Sequence, residues 1–75
     1  MKALTYRGTP YELSIVGDIN EETLTLECWD MSPSGGLLFR LKRDSNGDLM
    51  LEPSGAAIPI NLIKEAAEVA GLEMP

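Results

Sequence analysis

Histidine is absent from this chain, cysteine occurs once, at Cys28, and twelve carboxylates stand against six lysines and arginines. Without an imidazole, the Ser-His-Asp and Cys-His constellations and every His-bearing metal site are excluded. Carboxylate-pair chemistry needs only two acids held in unlike environments. The positions of the acids argue against it. Asp18, Glu21, Glu22, Asp44 and Asp48 fall in turn-rich stretches, and Glu65 and Glu68 fall on the polar side of a helical pattern. Charged groups in such places are solvated. The chain therefore reads as non-enzymatic, with no catalytic residue, no metal and no cofactor.

Three motifs resemble reactive ones and fail on a second requirement. Asp44-Ser45-Asn46-Gly47-Asp48 has the Asp-x-Asn-x-Asp spacing of a calcium loop. Leu49 stands where that loop needs its turn glycine, and Gly55 where it needs a bidentate glutamate. Ser34-Gly35-Gly36 has the composition of a phosphate cradle but lacks the lysine and helix that complete one. Cys28 shares a strand face with Leu24 and Leu26 and reads as a small buried hydrophobe. Arg40 and Lys42, which would lower its pKa, point to the opposite face.

Trp29 is the residue whose type and place suggest recognition. Strand parity puts it on the charged face, beside Leu38, with Glu27, Arg40 and Met31 nearby. A large aromatic there is either a cross-strand packing partner or an interface anchor. Trp29, Leu38, Arg40, Glu27 and Met31 are the candidate interface residues.

The elements that must position these side chains follow from periodicity. A chain of 75 residues makes one domain. Its 44% apolar content is that of a folded protein. Period-two alternation runs through the first fifty residues, and a helical period follows. Leu4 and Tyr6, then Tyr11, Leu13 and Ile15, then Leu24, Leu26 and Cys28, then Leu37, Phe39 and Leu41, and finally Leu49 and Leu51 mark the inner sides of five strands. Leu62, Ile63, Ala66, Ala67 and Ala70 make the apolar stripe of a helix. The fold class is α+β: a five-stranded antiparallel meander over 2–52, a linker over 53–58, a C-terminal helix over 59–70 packed on the inner face, and a tail over 71–75. A sheet of this size is about 20 Å wide, whereas one helix covers about 10 Å. Either the sheet coils strongly into a half-barrel or a second copy covers the remainder.

Turn chemistry sets the registers. Gly8 suits the first central position of a type II′ turn, which sets Tyr6 opposite Tyr11 and Leu4 opposite Leu13. A four-residue loop over 19–22 sets Ile15 opposite Leu26. In the middle hairpin, Asp30 opposite Leu37 aligns Leu26 with Leu41, Cys28 with Phe39, Glu27 with Arg40 and Trp29 with Leu38. A three-residue loop with Gly47 at a left-handed position joins the last two strands; an Asn46-Gly47 two-residue turn would set Leu41 against Glu52. Pro59 fits the first helical turn or Asn61 caps it, and Gly71-Leu72 reads as a left-handed C-cap with Leu72 folding back.

The net charge of −6 and pI near 4.3 disfavour nucleic acid and anionic membrane and suit a basic partner. The lone cysteine and the absence of an apolar leader in Met1–Arg7 point to a cytoplasmic, bacterial-type protein. The expected activity is protein binding, for instance as an acidic inhibitor or immunity-type partner of a basic protein. The alternative is a homodimeric structural or small-ligand module whose sheets enclose an apolar cavity.

Overall fold

The computed structural model describes residues 2–18 and 23–74. Strands β1 (Lys2–Tyr6), β2 (Thr9–Asp18), β3 (Thr23–Asp30), β4 (Gly36–Arg43) and β5 (Leu49–Pro53) precede helix α1 (Ile60–Glu73). The strands lie in sequence order in one antiparallel sheet, open at β1 and β5. The 19–22 loop lies outside the described residues, but the register it was expected to set, Ile15 opposite Leu26, is observed. So are Leu26 opposite Leu41, Cys28 opposite Phe39 and Glu27 opposite Arg40. Leu41 faces Leu51, and Gly47 turns at φ 85°. Its loop is closed by Gly47 N–H donating to the Asp44 carbonyl, 3.0 Å.

The first hairpin corrects the expected register by two residues. Tyr6 faces Thr9 and Leu4 faces Tyr11 across a two-residue Arg7-Gly8 turn. Both turn residues have positive φ, 49° and 81°, so the turn is of type I′, with Gly8 second rather than first. That handedness matches strand twist. A slip of two residues leaves every side chain on its original face, so hydrophobic parity is blind to it.

The middle hairpin also departs from the regular pattern. A bulge falls between Cys28 and Trp29, so Trp29 faces Leu37 and Asp30 faces Gly36. Leu38 is the extra residue. It is not on the outer face as expected: it is only 8% exposed, next to fully buried Phe39. Two consecutive inward residues are forbidden by strict alternation and allowed by a bulge. The cause lies in the loop. Asp30 Oδ1 accepts hydrogen bonds from Ser32 N–H (2.9 Å) and Ser32 Oγ (2.6 Å), and Gly35 N–H donates to the Ser32 carbonyl (2.9 Å). This turn returns the chain one residue early, and β4 absorbs the surplus. The Leu38 carbonyl accepts from both Ser54 N–H (3.2 Å) and Ser54 Oγ (2.9 Å).

Helix α1 runs through Gly71 instead of ending there. Met74 is buried, and its N–H donates to the Ala70 carbonyl at 2.8 Å. A helical glycine costs about 1 kcal/mol relative to alanine, while burying a methionine side chain contributes about 1.5–3 kcal/mol. Leu72 does not fold back; it is 85% exposed. Pro59 sits at the extended N-cap position, outside the first turn, and Asn61 does not cap but donates from Nδ2 to the Tyr6 hydroxyl (3.4 Å).

The core joins Tyr11, Leu13, Leu26, Cys28, Leu38, Phe39 and Leu41 of the sheet to Leu62, Ala66 and Ala70 of α1 and to Met74 just after it. Alanines four apart let the helix lie close over β3 and β4. Lys2 Nζ to Glu65 (3.4 Å) and Arg43 Nε to the Met74 carbonyl (2.9 Å) tie its flanks to the strands. Leu24 and Leu51, inward by parity, remain exposed at the margins the helix does not reach.

Candidate binding surface

Because α1 occupies one face of the sheet, no other described element covers the opposite face. Register arranges its side chains in rows. Glu12, Trp29 and Leu37 make one row, and Ser14, Glu27, Arg40 and Glu52 the next. Paired residues on adjacent strands project to the same side within contact range. Met31 continues the alternation of β3 beyond Trp29, and its N–H donates to the Pro10 carbonyl at 2.9 Å. Pro10, Trp29 and Met31 are all exposed, Trp29 by 37% and Met31 by 53%. Together with half-buried Leu37 they form an apolar strip beside the charged row.

Glu27 organises the strip. Its Oε1 accepts from the Trp29 indole N–H and its Oε2 from Arg40 Nε, each at 3.1 Å. One carboxylate thus orients the indole and neutralises the neighbouring guanidinium. Charge-assisted bonds of this kind are stronger than neutral ones. Of the residues expected to meet here, Trp29, Glu27 and Arg40 are brought together and Met31 adjoins them. Leu38 is withdrawn into the core, and Leu37 takes its place. Glu12 and Pro10 complete the surface and were not singled out from sequence, although Ile15 opposite Leu26 already sets Glu12 against Trp29.

The remaining groups have structural work. Arg43 Nη1 donates to the Gly47 carbonyl (2.8 Å), and Lys42 lies 3.9 Å from Glu52. Arg40, Lys42 and Arg43 therefore each have a partner. Asp44 Oδ1 accepts from the N–H groups of Asn46 (2.9 Å) and Asp48 (3.0 Å), which is turn chemistry. The Ser32 hydroxyl and N–H hold the Asp30 carboxyl below its ordinary pKa. Burial, then the negative Asp30, pushes the Cys28 thiol up to about 11, leaving it protonated near neutrality and a poor nucleophile. Among the described residues, no three acids or cysteines are grouped to hold a metal ion.

A separate groove of about 240 Å³ lies on the helix side, lined by Lys2, Leu13, Ile15, Val69, Leu72 and Glu73. Its lining is mostly aliphatic and does not include Trp29.

No protein family, curated protein or solved structure matches this chain. Among the described residues, no helix is long and apolar enough to cross a membrane.

Proposed function

We propose that this protein acts without catalysis, by binding another protein through the outer face of its sheet, and that the partner is basic. The observation that carries the reading is the Trp29 indole, partly exposed and fixed in orientation by Glu27, with Pro10, Met31 and Leu37 around it. A rigid, amphipathic aromatic beside an arginine is the composition of an interface centre. The net charge of −6 favours encounter with a cationic surface. An inhibitor or immunity-type role toward a basic effector is the concrete version. The test compares capture from a native lysate, at physiological salt, by the wild-type chain and by Trp29→Ala. A specific partner retained by the first should bind the second about tenfold or more weakly. Equal retention by both refutes the assignment.

A second reading is a homodimer that covers the helix side. Leu24, Leu51 and Leu72 are exposed, and Leu72 lines the groove. Sedimentation across a hundredfold range of concentration decides it: a species of constant monomer mass removes the dimer.

A further inference from the structure

The geometry points to an arginine of the partner as the group that seats on Trp29, its guanidinium flat on the indole and its N–H groups turned toward Glu12. This rests on the protein-binding reading above and specifies the chemistry of recognition. The indole N–H is already committed to Glu27, so what Trp29 offers a partner is its π-face. The quadrupole of that face attracts cations, and Trp is the best of the aromatics at it.

Among the described residues, the chain stacks one cation on an aromatic ring, Arg7 on Tyr6 at 5.7 Å, and none on Trp29. Arg40, opposite Glu27 in the register, is bonded to it and is thereby neutralised. Glu12 stands directly opposite Trp29 in the β2–β3 register. Its Oε1 accepts only the Ser14 hydroxyl, at 3.3 Å, and it has no cationic partner among the described residues. The local charge of Glu12, Glu27 and Arg40 is one net negative, placed beside a partly exposed indole. A guanidinium satisfies both at once: it is planar for stacking, weakly hydrated, and carries in-plane donors for a carboxylate. A lysine ammonium stacks less well and holds its water more tightly. Because Glu27 pins the ring beforehand, less side-chain entropy is lost on docking.

The chain contains a single tryptophan, so its emission reports this site alone. Titrating the full chain at low salt with a blocked peptide of alternating arginine and alanine should give a saturable change in Trp29 emission. The same peptide with lysine should bind about threefold more weakly. Glu12→Gln should weaken the arginine peptide about fivefold. Glu68→Gln, an equal charge change on the exposed side of α1, should leave it within about twofold. Glu12 is half-buried beside Trp29 in the register; circular dichroism matching the wild type shows that its variant folds, and it then carries the test even if Trp29→Ala does not. Equal affinity for the two peptides, or equal effects of the two glutamines, overturns the proposal and leaves only diffuse attraction to an acidic chain. No binding of either peptide, with a partner still lost on Trp29→Ala, overturns the arginine while sparing the binding face.

Discussion

Exchanging Leu38 for alanine, and separately Leu37 for alanine, separates the bulged β4 from a regular one. The bulge places Leu38 inward, 8% exposed, beside Phe39, and turns Leu37 outward, opposite Trp29. Truncating a buried leucine costs about 2–5 kcal/mol, the transfer term plus the cavity left behind. Leu38 lies at the end of the core near the β3–β4 loop, where neighbours can relax, so about 3 kcal/mol is expected. Leu37 loses only contacts on a half-wet surface, worth about 1 kcal/mol or less. A domain of 75 residues has a total stability of about 4–11 kcal/mol. The Leu38 variant should therefore melt about 10–20 °C lower, and Leu37→Ala only a few degrees. Urea unfolding followed by far-ultraviolet circular dichroism measures both, and unchanged slopes with denaturant confirm that stability alone has moved. If Leu37→Ala proves the more damaging of the two, β4 pairs regularly with β3 and the composition of the proposed surface is wrong.

Gly71→Ala should stabilise the fold by about 0.5–1 kcal/mol, because a Cβ at this exposed helical position meets nothing within 4 Å; a loss of stability in thermal melts would restore the left-handed cap. Gly35→Ala should destabilise by at least about 2 kcal/mol, since the new Cβ would collide with the Asp30 backbone carbonyl; a near-wild-type melt would mean the loop is built differently. Cys28 gives a pH signature. Its thiol is raised to about 11 in the fold from an ordinary 9.0, so above pH 9 the unfolded chain loses this proton first. Stability should then fall between pH 9 and 11 by up to about 3 kcal/mol. Cys28→Ala should show a correspondingly flatter alkaline limb, and identical limbs would place the thiol in water.

Much of the architecture was legible because independent positions agreed. Leu26 with Leu41, Cys28 with Phe39 and Glu27 with Arg40 each demanded the same pairing, from apolar matching on one face and charge matching on the other. The three departures share one property: apolar parity along the strands does not register them. The two-residue shift at Arg7-Gly8 preserves all faces. The bulge at Leu38 is driven by Asp30 capping Ser32, which a pattern of apolar residues does not encode. The helix passes Gly71 because Met74, beyond the apparent stop, has a place in the core. For the surface, Trp29, Glu27 and Arg40 were visible because they lie on the regular side of the bulge or pair across it. Leu37 was not, since exchanging it with Leu38 needs that one inserted residue.

The Leu38 carbonyl, which accepts two hydrogen bonds, has a mechanical meaning for the sheet's open margin. Pro53, opposite Phe39, has no amide proton to give, so an edge strand ending there should fray from that end. Ser54 clasps it immediately afterwards with two donors, while the Asp44 turn fastens the other end. A ribbon anchored at both ends resists peeling and strand exchange between molecules. The clasp closes on the same kink that exposes Leu37, so loosening Ser54 should disturb the tryptophan's surroundings from the opposite border of the sheet.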